Sequence, residues 1–106
     1  MKASLFRLIQ DVFILSDFDA KVLREVSGIP RGEVRTYKQI AKNIRRPRAY
    51  RQVARTLSRN PFPLVIPCHR VVSSSGRLSG YQGGKKLKGK LLVKEGCVID
   101  GQRVVF

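Results

Sequence analysis

The sequence predicts a mainly α fold with short β elements, organised as a winged-helix-like helix-turn-helix. Three observations predict it. Thr36-Tyr37-Lys38-Gln39 is a capping box that opens one helix. A second helix, carrying arginines at regular spacing, follows after Arg45-Arg46-Pro47. The C-terminus, Cys97-Val98-Ile99, Asp100-Gly101 and Gln102 to Phe106, reads as a hairpin on a two-residue Asp-Gly turn. At 106 residues the chain is expected to be one domain, residues 1–106, large enough for a modest core.

The elements follow in order. Leu5, Leu8, Ile9, Val12 and Phe13 share one helical face, which predicts a helix over 4–13 with Ser4 as its cap. Val12-Phe13-Ile14-Leu15 is also β-prone and could be a short strand. Asp17 to Ser27 reads as a helix capped by Ser16 or Asp17, with Phe18, Val22, Leu23 and Val26 as its buried stripe. Gly28 is expected to supply a left-handed exit, and Pro30 prevents continuation. Arg31-Gly32-Glu33 is a turn.

The capping-box helix buries Tyr37, Ile40, Ala41 and Ile44. The next helix is expected from near Arg48 to about Arg59, with Ala49 or Tyr50, Val53, Ala54 and Leu57 as its apolar side. Arg51, Arg55 and Ser58 line the other side, with Arg48 and Arg59 at the ends. Three prolines between Asn60 and Pro67 forbid regular helix and make a stiff connector. Asn60 could simply cap the preceding helix. Val71-Val72 is a short strand, and Ser73 to Gly84 a glycine-rich loop in which Tyr81 is either a surface aromatic or a stacking group. Lys85 to Glu95 is a helix with Leu87, Leu91 and Leu92 inward and Lys85, Lys86, Lys88, Lys90 and Lys94 outward. Gly89 weakens it by about 1 kcal/mol relative to alanine, and Gly96 ends it.

Charge narrows the function. There are 22 Lys and Arg against 7 Asp and Glu, a net of +15. So large an imbalance repels itself and asks for an anionic partner, and nucleic acid fits the arginine stripe best. A solvated basic face or an anionic membrane surface is the plainer alternative. No apolar run is long enough to span a membrane, and no signal peptide pattern is present. A cytoplasmic protein with reduced thiols is therefore expected. One His and two distant Cys cannot close a zinc site, so neither metal nor cofactor is expected.

The chemistry concentrates in Ile66-Pro67-Cys68-His69-Arg70-Val71-Val72. Pro67 keeps Ile66 out of helix and holds the approach extended. A thiolate is a strong nucleophile, and the adjacent imidazole can take or relay its proton. Alone, a Cys-His pair is as compatible with a buried small hydrophobe.

Asn60-Pro61-x-Pro63-x-x-Ile66-Pro67-Cys68-His69-Arg70-Val71-Val72 resembles the active-site signature of the O6-alkylguanine-DNA alkyltransferases, the methylated-DNA–protein-cysteine methyltransferases. Ile29-Pro30-x-Gly32-x-Val34-x-Thr36-Tyr37 resembles the entry to that family's helix-turn-helix. Ser75-Gly76-x-x-x-Gly80-Tyr81-x-Gly83-Gly84 and Leu91-Leu92-x-x-Glu95-Gly96 resemble its substrate loop and last helix. The likeness runs from about Phe13 to Gly96.

The resemblance implies irreversible transfer of an alkyl group from O6 of guanine to Cys68, in double-stranded DNA, by a monomer without a cofactor. It implies His69 acting through water as base, with Glu95 orienting it. Tyr37 would aid the leaving guanine and Asn60 would brace the site. Arg51 would fill the gap left by the extruded base, with Arg48, Arg55, Thr36 and Ser58 on the DNA. Tyr81, Gly83, Pro67 and Val71 would border the guanine pocket.

Family members usually carry an additional N-terminal domain, and here about a dozen residues precede the matching region. Arg55 stands where glycine is common, and Gln82 where a small hydroxyl residue is frequent. Cys97 matches no functional residue and reads as core. The short length resembles a sister group, the alkyltransferase-like proteins, which sense alkylated guanine without transfer and lack the cysteine.

Overall fold

A computed structural model describes residues 16–59, 66–78 and 84–106. The segment 4–15, read above as helix or strand, lies outside the described residues, as do most of the proline connector and the middle of the glycine-rich loop. The described elements run α1 (Asp17–Ser27), β1 (Arg35–Thr36), α2 (Tyr37–Asn43), α3 (Tyr50–Ser58), a 3-10 turn (Cys68–Arg70), β2 (Val71–Val72), α4 (Lys85–Lys94), β3 (Val98–Asp100) and β4 (Arg103–Val105). Among the described residues no helix is long and apolar enough to cross a membrane.

The starts of α1 and α2 are written in their capping residues. Ser16 caps α1 by accepting from the Asp19 N–H at 3.1 Å, and Asp17 and Asp19 sit in the first turn, at the positive end of the helix dipole. Gly28 differs from expectation: it is right-handed, with φ −87°. Ile29 precedes Pro30 and is disfavoured in the helical region, so the last turn closes instead through Gly28 and Ile29 N–H bonds to Glu25 and Val26 carbonyls. The capping box forms in full. Gln39 N–H donates to Thr36 Oγ1 at 3.1 Å, and Thr36 N–H donates to Gln39 Oε1 at 2.8 Å.

The turn between α2 and α3 is a Schellman closure: Arg45 N–H bonds Lys42 O and Arg46 N–H bonds Ala41 O. Its left-handed position is Arg45, φ 63°, where glycine is usual. Arg48 lies in the turn before α3, which begins at Tyr50, later than the sequence suggested. Pro47 accounts for the delay, since it breaks the backbone pattern between the two helices.

The two-residue strand β1 was not foreseen. It pairs in parallel with β2, Arg35 to Val71 and Thr36 to Val72. Along β2 consecutive side chains point to opposite faces. Val71 enters a core made by α1, α2 and α3, which also holds Cys68. Val72 enters a second core with Leu78, Leu92 and Val104.

In α4 the sequence reading is reversed at two positions. Leu87 is 43% exposed, whereas Lys88 is 1% exposed. Leu92, four residues after Lys88, is buried on the same side. Apolar residues occur on several faces of this helix, so they do not define one stripe. Gly89 has a packing reason: a Cβ there would stand 3.2 Å from Leu78 Cδ1.

The C-terminal hairpin pairs Val98 with Val105, Ile99 with Val104 and Asp100 with Arg103. The turn residues are thus Gly101-Gln102, one position later than Asp-Gly. Gly101 has φ 64°, at the first central position, where a type II′ hairpin turn favours glycine. The start of the glycine-rich region is also ordered against this hairpin. Arg77 bridges Arg103, and Leu78 N–H donates to Gln102 O at 2.9 Å.

Candidate active site and DNA interface

The residues Pro67-Cys68-His69-Arg70 leave the connector as a tight turn. Pro67 occupies its N-terminal cap, and Arg70 N–H donates to Pro67 O at 3.0 Å. The turn buries Cys68 to 4% exposure and His69 to 2%. It also sends Arg70 toward the end of α4.

That end is built to present one carboxylate. Glu95 is the C-cap of α4. Gly96, φ 95°, and Cys97 close the helix through N–H bonds to Val93 O and Leu92 O. The turn 30–33 packs alongside. Glu33 N–H bonds Pro30 O, and Gly32, φ 87°, comes so near that a Cβ would stand 3.1 Å from Glu95 O. Arg31 Nη2 donates to Lys94 O at 3.1 Å. Cys97 is half-buried, with its Sγ 3.7 Å from Gly32 O, and no disulfide joins it to Cys68.

A carboxylate at the negative end of a helix dipole needs cations. Arg70 supplies one, donating from Nε to Oε1 at 2.9 Å and from Nη2 to Oε2 at 2.6 Å. Its Nη1 donates to Ile29 O at 2.8 Å, which ties the group to the end of α1. Arg70 hydrogen bonding, reinforced by His69, holds the Glu95 carboxyl down to about 2 against the effect of burial.

Glu95 Oε1 also meets His69 Nε2 at 3.1 Å. An ionised carboxylate only accepts, so Nε2 carries the proton and Nδ1 keeps the lone pair. Burial pushes His69 below its ordinary value, outweighing the opposite pull of Glu95. The imidazole is therefore neutral at pH 7, oriented by Glu95, and adjacent in sequence to Cys68. These residue types are those of a nucleophile, base and orienter series.

Tyr37 is the first residue of α2 and is half-buried against the core that holds Cys68. Thr36 is buried and its hydroxyl accepts in the capping box. Pro67 is buried beside Cys68, and the Val71 side chain belongs to the core. Asn60, Tyr81 and Gly83 lie outside the described residues.

Arg48, Arg51 and Arg55 are all exposed. Arg51 lies 5.9 Å from the centre of the Tyr50 ring, a cation–π contact that steadies it on the outer face of α3. Ser58 is exposed, and its hydroxyl donates to Arg55 O at 2.7 Å. Arg46 and Gln52 line both of two shallow surface hollows, one lined also by Arg45 and Arg48 and the other by Arg55, Arg59 and Asp19. The basic face thus continues from the turn along one flank of α3. On its inner flank, Thr56 donates to Asp19 Oδ1 at 2.7 Å and locks α3 to α1. Among the described residues no cluster of three or more His, Cys, Asp or Glu is placed to hold a metal.

Sequence reasoning missed two contributors. Arg70 was read only as part of the motif, although its guanidinium fixes Glu95. Lys88 was placed outside. Its spacing of four from Leu92 and seven from Glu95 is the available signal, because those positions share one helical face.

Comparison with known proteins agrees with this geometry. Residues 17–97 match the family model described as 6-O-methylguanine DNA methyltransferase, DNA binding domain. A methylated-DNA–protein-cysteine methyltransferase of Methanothermobacter thermautotrophicus is 52% identical over 87 residues, 82% of this chain and 48% of that protein. One from Saccharomyces cerevisiae is 44% identical over 76% of this chain and 43% of its own length. The chain spans about half the length of the curated relatives it matches.

Among solved structures, Mycobacterium tuberculosis OGT in complex with DNA superposes with a TM-score of 0.75 at 42% identity, covering 76% of this chain and 50% of that one. Schizosaccharomyces pombe Atl1 in complex with damaged DNA containing O6-carboxymethylguanine superposes with a TM-score of 0.72 at 34% identity, covering 81% and 82%. From its capping-box helix to the carboxylate at the end of α4, this chain belongs to the 6-O-methylguanine DNA methyltransferase family, whose DNA-binding domain it carries.

Proposed function

We propose that the chain repairs alkylated DNA by moving an alkyl group from O6 of guanine to Cys68 in a single irreversible event. The observation that carries this reading is the Cys68-His69-Glu95 series, set beside an arginine-faced helix-turn-helix. Relatives named methyltransferases, and a relative held in complex with DNA, support it.

Neutral His69, acting through a water at Nδ1, takes the thiol proton. The sulfur attacks the alkyl carbon, so the S–C bond forms while the C–O6 bond breaks. The electron pair stays on guanine, which is protonated as it leaves, with the Tyr37 hydroxyl as donor. Overall the alkyl group replaces the thiol hydrogen and normal guanine returns to DNA. A thioether has no easy reversal, so each molecule acts once. O6 of a stacked guanine is closed to in-line attack, so the base is swung out of the duplex.

Arg51 occupies the gap this leaves, and Arg48, Arg55, Thr36 and Ser58 hold the backbone. Asn60 braces the site, and Tyr81, Gly83, Pro67 and Val71 border the pocket. Affinity comes mainly from phosphate contacts, and sequence preference is weak. Residues 1–106 act as one domain, as a monomer, on double-stranded DNA in the cytoplasm, without a cofactor or a membrane.

A second reading is a sensor of alkylated DNA that performs no transfer. The likeness to Atl1, at 34% identity and a TM-score of 0.72, favours it. Cys68 favours transfer. Intact-mass measurement after mixing with an O6-methylguanine duplex decides between them. Transfer adds one methyl in place of hydrogen, and Cys68→Ser abolishes the gain while DNA binding persists. Tight binding with unchanged mass overturns the transfer reading.

A further inference from the structure

A groove of about 500 Å³ lies between helix α4 and the C-terminal hairpin. That size is within the range of sites that hold ligands. Its floor is apolar, formed by Leu78, Val93 and Ile99, and Val93 is 55% exposed. Gly89 adds no side chain of its own. A Cβ there would stand 3.2 Å from Leu78 Cδ1, so glycine lets the floor lie close against the helix. The opposite wall is the Gly101-Gln102 turn. Strands β3 and β4 lie beyond residues 17–97, so this wall is not part of the matched DNA-binding domain.

The rim is basic. Lys86, Lys90 and Lys94 recur every four residues and so form one stripe, beside the stripe of Gly89 and Val93. All three are exposed, and among the described residues no ion pair or side-chain hydrogen bond engages them. Like charges one turn apart weaken a helix. An anion seated on the stripe would relieve that repulsion.

We propose that this groove docks an acidic amphipathic helix of a partner protein. Docking here is separate from the chemistry at Cys68. Two adjoining rows, one apolar and one basic, each repeat every 6 Å or so, about one helical turn. A helix with apolar and acidic rows side by side matches both. An extended strand offers only one row per face. A DNA duplex offers phosphates to the lysines and nothing to Val93 or Ile99. The arginine face belongs to α3, in the first core, whereas α4 contributes Leu92 to the second.

The chain itself is a poor occupant. Residues 1–15, 60–65 and 79–83 contain one acid, Asp11. A second copy brings 22 cations and 7 acids, of which Asp19, Glu25, Glu33 and Glu95 already bond within the chain.

The test uses the full chain and a fluorescent synthetic peptide of about 15 residues, with leucines on one helical stripe and glutamates on the next. At physiological ionic strength it should bind about tenfold more tightly than a scrambled peptide of the same composition. Lys86→Ala/Lys90→Ala should weaken it about tenfold. Val93→Asp, which keeps the lysines, should abolish the preference for the ordered peptide. Amide resonances of Leu78, Gly89 and Gln102 should move on binding, and those of α3 should not. Thermal melts check folding. Lys86→Ala/Lys90→Ala should melt no lower than its parent, since alanine is a good helix former.

No binding of the ordered peptide, equal binding of the scrambled one, a preference that survives Val93→Asp, or shifts centred on α3 overturns the proposal. So does a reduced salt slope for duplex binding in Lys86→Ala/Lys90→Ala, which would assign the lysine rim to DNA.

Discussion

Arg70 grips both oxygens of Glu95, at 2.9 and 2.6 Å, and thereby fixes the oxygen that meets His69 Nε2. His69 is thus oriented at one remove, through Glu95. Arg70→Ala should leave Glu95 without its cation at the negative end of α4. Urea unfolding should show a loss of about 3 kcal/mol, and Arg70→Lys an intermediate loss, because an ammonium cannot grip both oxygens in a plane.

Acid should act on the same cluster. Glu95 is held at about 2, below its ordinary value of 4.5. Its stabilisation is complete above pH 4.5 and is lost as pH falls toward 2, amounting to about 3 kcal/mol. His69, lowered from 6.5 by burial, adds a loss as pH falls below 6.5, because the unfolded chain takes that proton more readily. Glu95→Gln should flatten the lower part of a stability–pH curve and deepen the His69 part, since the carboxylate that favours the imidazolium is gone, and it should slow Cys68 alkylation. A curve unchanged in shape would contradict the ionised Glu95.

The left-handed Arg45 is a local cost within the helix-turn-helix. Arg45→Gly should raise stability by about 1 kcal/mol, since glycine adopts this conformation without Cβ strain. Chemical denaturation checks the gain. The same change removes one exposed cation, so DNA affinity should fall slightly.

The arginine face gives a separable test. Arg51→Ala should slow repair of duplex DNA more than reaction with free O6-benzylguanine, because only the duplex needs its gap filled. Equal slowing of both substrates would refute that role. For the parent chain the logarithm of affinity should fall linearly with the logarithm of salt, and Arg48→Ala or Arg55→Ala should each reduce the slope by about one.

How much of this was legible beforehand depends on the range of the interaction that decided it. Ser16 and the Thr36–Gln39 box are local, three-residue relationships, and they set the starts of α1 and α2 as written. The Cys68-His69 neighbourhood and Glu95 were visible as a spaced motif. Strand β1 was not, because its partner among the described residues is Val71-Val72, far along the chain. Gly28 followed the needs of Ile29-Pro30 and not its own freedom. Leu87 and Lys88 exchanged sides because α4 turns on Leu92 and on the tie between Glu95 and Arg70, neither of which composition reveals.

Strand β2 has a thermodynamic consequence. Its two neighbouring side chains, Val71 and Val72, anchor separate apolar clusters, and the reactive turn leads directly into it. Loss of the Val72 anchorage should slacken the backbone that holds Cys68. Undocking of the hairpin should therefore be felt at Cys68, as faster exchange of the backbone amides of its turn.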